Sequence, residues 1–143
     1  MITIQETVTT PRPRPDVFAY VADFTKAAEW DPGIRSAVRV AGAGGVGTRY
    51  EVEATFAGRV VPMTYEVIEH TAPTCIVLRG GAATVEALDT IAFEEAPEGG
   101  TRVVYRADFT LKGRLRSVGF LMKPLFRRLG RKAIGGLGAV LNR

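Results

Sequence analysis

The sequence is poor in reactive and metal-binding side chains, with one cysteine and one histidine among 143 residues. Cys75 alone cannot close an internal disulfide, and His70 alone cannot build a histidine-based metal site. A serine–histidine triad would have to use His70, which stands in His70-Thr71-Ala72-Pro73 and reads as an exposed turn residue. Cys75 sits in an apolar strand without a nearby partner and reads as a small buried side chain, not a nucleophile. No apolar run approaches the roughly 20 residues that span a bilayer. Met1–Glu6 lacks the basic segment and apolar core of a secretion signal. These absences point to a cytoplasmic protein with no metal and no cofactor.

Acidic residues are missing from one segment. All 15 Asp and Glu lie at or before Asp108, whereas nine of the 19 Lys and Arg lie after it. The net charge of +4 therefore hides an acidic body and a basic C-terminal segment. Hydrophobic residues at 46% and charged residues at 24% fit a globular chain. The length suits one domain, residues 1–143, which buries roughly 70% of its unfolded surface and has a core large enough to be hollow.

Ile2 to Thr10 is rich in Ile, Val and Thr and predicts a strand, closed by Pro11, Pro13 and Pro15. A short helix follows from Pro15, with Val17, Tyr20, Val21 and Phe24 on one apolar face. Thr25 is the expected N-cap of a second short helix through Trp30, ended by Pro32 and Gly33. The period then changes to two. Ile34 to Val40, Thr48 to Phe56, Val60 to Glu69, Thr74 to Arg79, Thr84 to Glu94 and Thr101 to Leu111 predict an antiparallel meander with glycine-rich turns. Pro62 requires an edge position or a bulge in its strand.

Beyond the last strand, Val118, Leu121, Met122, Leu125, Phe126, Leu129, Ala133, Leu137 and Val140 recur at helical spacing, with Arg116, Lys123, Arg127 and Arg131 opposite. This predicts a long amphipathic helix. Pro124 implies a kink or a late start, and Gly130, Gly135, Gly136 and Gly138 weaken it, so it needs a sheet to pack on.

Gly42-Ala43-Gly44-Gly45-Val46-Gly47 matches a dinucleotide-binding glycine pattern but leads into Tyr50-Glu51-Val52-Glu53, which alternates like a strand. A nucleotide site needs a helix there, so the glycines read as a hairpin turn. Tyr50, Val52, Ala54 and Phe56 share one strand face, as do Val61, Met63, Tyr65 and Val67. Val103, Tyr105, Ala107, Phe109 and Leu111 form a third apolar row. The row Val85, Ala87, Asp89, Ile91 and Phe93 carries an acid in its middle. Either a bulge turns Asp89 outward, or it faces the core and needs a partner. A hairpin closed by Gly80 to Ala83 puts Cys75, Val77 and Arg79 on that face, making Arg79 or a tyrosine hydroxyl the compensating group.

Val17-Phe18-Ala19-Tyr20-Val21-Ala22-Asp23-Phe24, running into Glu29-Trp30-Asp31-Pro32-Gly33, resembles the helix–helix corner of the START-related helix-grip (SRPBCC) superfamily, which includes polyketide cyclases/dehydrases and lipid-transfer proteins. Gly47-Thr48-Arg49-Tyr50, Gly100-Thr101-Arg102-Val103-Val104-Tyr105 and Leu111-Lys112-Gly113 are similar to its later segments. The resemblance covers nearly the whole chain. It implies an α+β helix-grip fold, in which a curved antiparallel sheet of about seven strands wraps around a long C-terminal helix, with two short helices after the first strand. It also implies a cavity between sheet and helix for an apolar small molecule. Trp30 would then cap one end of the cavity or simply pack the corner. Tyr50, Val52, Met63, Tyr65, Tyr105, Phe109, Met122 and Phe126 are the other expected ligand-binding residues.

That scaffold carries both binding and catalysis. A binding module for a lipid, quinone or polyketide-like ligand needs only a hollow core. The alternative is an aromatase/cyclase-type enzyme on a polyketide intermediate, with Asp89 as base and Arg79 or a tyrosine hydroxyl as oxyanion partner. Lys112, Arg114, Arg116, Lys123, Arg127, Arg128, Arg131, Lys132 and Arg143 either form a solvated face or dock on an anionic membrane surface or an acidic carrier protein. Nucleic acid is not an expected partner, because the aromatics are expected inside and not among the charges.

Overall fold

Alternating apolar residues make each strand segment half-buried, and the strands pair through one continuous ladder. The computed structural model describes all 143 residues: β1 (Ile2–Thr10), α1 (Arg14–Ala22), a 3-10 turn (Phe24–Lys26), α2 (Ala27–Trp30), β2 (Ile34–Ala41), β3 (Arg49–Phe56), β4 (Arg59–Thr71), β5 (Cys75–Gly81), β6 (Val85–Glu95), β7 (Thr101–Leu111), a second 3-10 turn (Gly113–Val118) and α3 (Gly119–Leu141). The seven strands are antiparallel in the order β1-β7-β6-β5-β4-β3-β2. β2 to β7 form a meander, and β1 closes against β7. The helices α1 and α2 therefore carry the chain from one edge of the sheet to the other. Register shifts between Ile34 and Ser36, Arg39 and Ala41, and Val67 and Glu69 bend the sheet. It is the expected helix-grip arrangement.

Local details differ from expectation for identifiable reasons. Asp23, not Thr25, caps the corner: its carboxylate accepts from the Thr25 amide at 3.2 Å and the Thr25 hydroxyl at 2.6 Å. Pro62 lies in an interior strand, but β5 pairs with β4 only from Thr64 onward. At Pro62 the strand has one neighbour, β3, so its missing N–H costs no ladder bond. His70 is not an exposed turn residue. β4 runs through it to Thr71, pairing it with Ile76, and its ring meets Phe18 edge-on at 5.2 Å. The Gly42–Gly47 segment is a hairpin loop leading into β3, held by the Gly44 amide donating to the Thr48 hydroxyl at 2.8 Å. The Ala57-Gly58 turn joins β3 to β4 with φ values of 51° and 77°, the handedness of a type I′ hairpin.

The helix α3 runs on through Pro124 and packs chiefly against β1 and α2. Its glycines explain that choice. A Cβ at Gly130 would stand 2.5 Å from Ile4 Cγ2, and one at Gly136 would collide with the Trp30 carbonyl oxygen. Removing both side chains lets the helix backbone approach the strand and the corner closely. Thr10 fixes the far end by donating its hydroxyl to the Leu141 carbonyl at 3.0 Å. The apolar stripe is buried at Phe126, Ala133, Leu137 and Leu141, whereas Val118 and Leu121 stay exposed. Helical periodicity identifies the apolar side of a helix; it does not say how far its packing partner extends.

Candidate functional site

Because α3 leans on β1 and α2, it leaves space over the middle strands. The space is an apolar cavity of about 130 Å³. Its walls come from β3, β4, β6 and β7, Thr84 before β6, the Asp31–Ile34 corner, Ile4 of β1, Leu115 of the second 3-10 turn, and the Phe126, Leu129, Gly130 and Ala133 side of α3. Phe126 stacks at 4.5 Å on Phe109 and at 5.1 Å on Phe56, forming an aromatic wall between helix and sheet.

Met63, Tyr65, Asp89, Tyr105, Phe109 and Phe126 all line this space. Trp30, Tyr50 and Val52 are buried but do not line it. Trp30 stands behind Tyr105, with ring centroids 6.2 Å apart, and Tyr50 packs on Phe24 at 5.7 Å. Met122 belongs instead to a small cluster with Ile2, Ile4 and Phe126. Arg79 is on the wrong face: β5 places Leu78 opposite Asp89 and Ile76 opposite Ile91, so Arg79 points away and is exposed. Cys75 shares that outer side of β5 and is half-buried; burial first, then Glu69, pushes its thiol up to about 11. It is held in the un-ionised form at neutral pH.

Asp89 faces inward without any bulge, and it is 3% exposed. Tyr105 compensates it, donating its hydroxyl to Asp89 Oδ2 at 2.6 Å. Asp89 Oδ1 is buried with no partner. Burial pushes the carboxyl up to about 7, the Tyr105 hydrogen bond opposes that, and the charges of Asp31 and Asp108 add to it. Tyr65 lies across Gly80, its directly opposite residue, where a Cβ would stand 2.5 Å from the ring. The tyrosine hydroxyls of Tyr65 and Tyr105 are both pushed well above their ordinary range, first by burial and then by Asp89. Tyr65 has only the Met63 sulfur at 4.0 Å as a hydroxyl partner.

Asp31 was legible only as a turn former, yet it is a second acid on the cavity wall. Its Oδ1 accepts from the Gly33 amide at 2.8 Å, and burial, opposed by that bond, pushes it up to about 6. The available sign was its position beside Trp30 in an apolar corner. No Lys, Arg or His lines the cavity. Nor do three or more His, Cys, Asp or Glu side chains come together in a metal-binding group. The polar end thus comprises two carboxylates and two tyrosine hydroxyls. A carboxyl near neutrality, with one free oxygen and a phenol hydrogen-bonded to the other, can accept or return a proton at pH 7.

Comparison with solved structures gives the same architecture. A START superfamily protein from Mycobacterium smegmatis superposes with a TM-score of 0.82 at 13% identity, over 97% of this chain and 96% of that one. A protein from Thermus thermophilus gives 0.81 at 20% identity, over 96% and 94%. The Zhui aromatase/cyclase from a Streptomyces species gives 0.75 at 19% identity, over 97% and 90%. At such identities the likeness is one of fold. No curated protein matches the sequence. The family model described as polyketide cyclase / dehydrase and lipid transport matches residues 1–142. With that match over nearly its whole length, the chain belongs to the polyketide cyclase / dehydrase and lipid transport family.

Proposed function

We propose that the protein binds a hydrophobic small molecule, lipid, quinone or polyketide-like, in the cavity between the sheet and α3. The observation that carries this reading is an apolar cavity whose one buried free oxygen, Asp89 Oδ1, is left for a ligand to satisfy. Burial of the ligand would supply most of the affinity, at roughly 25 cal/mol per Å² of apolar surface. A volume of about 130 Å³ suits a single ring or short chain. Drug-sized ligands occupy roughly 300–1,000 Å³, so a larger ligand requires α3 to move off the middle strands. Native mass spectrometry of the purified protein, followed by solvent extraction, tests the reading. A copurifying apolar molecule supports it. Bare protein whose Trp30 emission is unmoved by a panel of apolar compounds overturns it.

A cyclase-type activity is the second reading, favoured by the Asp89–Tyr105 pair and by the aromatase/cyclase among the structural neighbours. Asp89 Oδ1 would take a proton from carbon between two carbonyls, and the Tyr65 hydroxyl would donate to the enolate oxygen. The carbanion would then add to a ketone carbon of the same chain, and Asp89 would return its proton to the alkoxide so formed. Asp89 would next take the second proton from the same α-carbon, expelling the hydroxyl, which leaves as water with that proton as the C=C bond forms. Unchanged turnover after Asp89→Asn removes this reading.

A cytoplasmic location and docking on anionic lipid complete the proposal. The first is supported by the cysteine usage, a single thiol and no disulfide framework. The second is supported by Phe120 and Leu121, 73% and 66% exposed, beside Arg116 and Lys123 in a segment without acids. Of the nine C-terminal cations only Lys112 reaches a carboxylate, Glu86 at 3.5 Å. Each free cation would contribute about 1 kcal/mol near an anionic surface, and the two apolar side chains would enter it. Co-sedimentation with phosphatidylserine vesicles, lost at high salt and in the Phe120→Ser, Leu121→Ser variant, is the expected result. Binding to an acidic carrier protein with none to vesicles would reassign the face. No helix here is long and apolar enough to cross a membrane.

A further inference from the structure

The chemistry of the cavity's polar end narrows the ligand. Asp31 and Asp89 both stand on its wall, and neither meets a cation. Asp89 Oδ1 is buried and unpartnered, an arrangement that leaves a hydrogen-bond acceptor waiting for a donor. Around these acids the walls are apolar and aromatic, with Tyr65, Tyr105, Phe56 and Phe109 presenting rings.

Resting on the proposal that the cavity binds an apolar ligand, we infer that its Asp31–Asp89 end selects ligands whose polar group is a protonated amine and excludes carboxylates of the same apolar body. A carboxylate would enter a cation-free site already holding two acids, and its desolvation would go uncompensated. An ammonium supplies both the missing donor and the missing countercharge, and its attraction to the ring faces adds to both. A neutral hydroxyl supplies only the donor. Free fatty acids and other anionic amphiphiles are thereby excluded, and amine-bearing aromatics or aliphatics are favoured.

Protonation governs the preference. Asp89, on β6, faces Tyr105 of β7, Tyr65 of β4 and Asp31 at the α2–β2 corner, while Asp108, on the outer face of β7 and paired with Arg106, acts on it only through its charge. The β1 and α3 residues on the wall, Ile4, Phe126, Leu129, Gly130 and Ala133, carry no titratable group. Burial raises both carboxyls, so acidification to about pH 5 neutralises the polar end and removes what the ammonium recognises.

The test uses three single-ring ligands scaled to the cavity, 2-phenylethylamine, 2-phenylethanol and phenylacetate, with toluene as apolar reference, titrated calorimetrically into the intact protein. At about pH 8 the amine should bind about tenfold or more tightly than the alcohol, with no detectable binding of phenylacetate. At about pH 5 the amine should fall to the alcohol's level. Asp89→Asn and Asp31→Asn should each weaken the amine while moving toluene less than about threefold, which also reports that the variants are folded. Phenylacetate binding as tightly as the amine, or an amine preference that survives in the double variant, overturns the inference. Toluene binding without discrimination among the other three overturns it and leaves the cavity reading standing. Failure of all four ligands to bind removes the cavity reading and this inference together.

Discussion

Tyr105 donates its hydroxyl to Asp89 Oδ2 at 2.6 Å from a diagonal position on the neighbouring strand. Asp89 itself pairs with Ala107, and Tyr105 with Ile91. The small Ala107 opposite the acid leaves room for the tyrosine two residues away to lean across, within reach of a diagonal pair. The contact allows a carboxyl to remain inside an apolar sheet face.

The Asp89 carboxyl is raised in the folded protein, from 3.8 to about 7, and Asp31 is raised to about 6. A raised pKa means the native state holds the proton more tightly than the unfolded chain does. The associated stability is fully present below about pH 4 and is lost as pH rises through about 7. Thermal or urea unfolding should therefore show declining stability across that window. Asp89→Asn should flatten the decline and be more stable than the parent at about pH 8, by at most about 4 kcal/mol. Parallel pH profiles of parent and variant would count against a raised carboxyl.

Tyr105→Phe removes the one hydrogen bond Asp89 has. The cost should be about 1–3 kcal/mol at about pH 8, where the carboxylate is left wholly unpaired, and smaller at about pH 4. The lost bond had opposed the upward shift, so the stability decline should extend to higher pH than in the parent. Urea midpoints at the two pH values measure both effects.

Adjacent glycines of α3 should respond in opposite directions. Gly135 has nothing within 4 Å of where a Cβ would stand, so Gly135→Ala should stabilise by about 0.5–1 kcal/mol through helix propensity. Gly136→Ala would press on the Trp30 carbonyl and should destabilise by about 2 kcal/mol or more. A pair of urea melts decides it, and equal effects would mean that α3 does not sit where Gly136 allows.

Ala57 holds φ at 51°, a left-handed conformation that asparagine adopts more readily than alanine. Ala57→Asn should raise stability by about 0.5 kcal/mol, with the Ala57-Gly58 hairpin unchanged. A lower melting temperature would argue that the turn has another shape.

Much of the architecture was legible in local pattern. Period-two alternation marked each strand within a few residues, because a half-buried strand can hide only every second side chain. The same alternation put Asp89 in an apolar row without deciding between an inward acid and a bulge, and the strand following Gly42–Gly47 distinguished a hairpin from a nucleotide loop. Arg79 was misplaced because its face depends on the β5–β6 register, which pairs Leu78 with Asp89. A one-residue change in phase reverses every side chain.

The sequence by itself determined where strands alternate, which segment is basic and where the chain must bend. Tertiary structure alone decided which inward residues border empty space. Trp30, Tyr50 and Val52 are as buried as Tyr65, but of these four only Tyr65 lines the cavity. The difference arises because Gly130 and Gly136 let α3 close onto Ile4 and the Trp30 corner, leaving a gap above the middle strands that both Asp31 and Asp89 border. Hydrophobic periodicity records burial; a cavity is a mismatch between surfaces from distant parts of the chain, and it exists only once they pack.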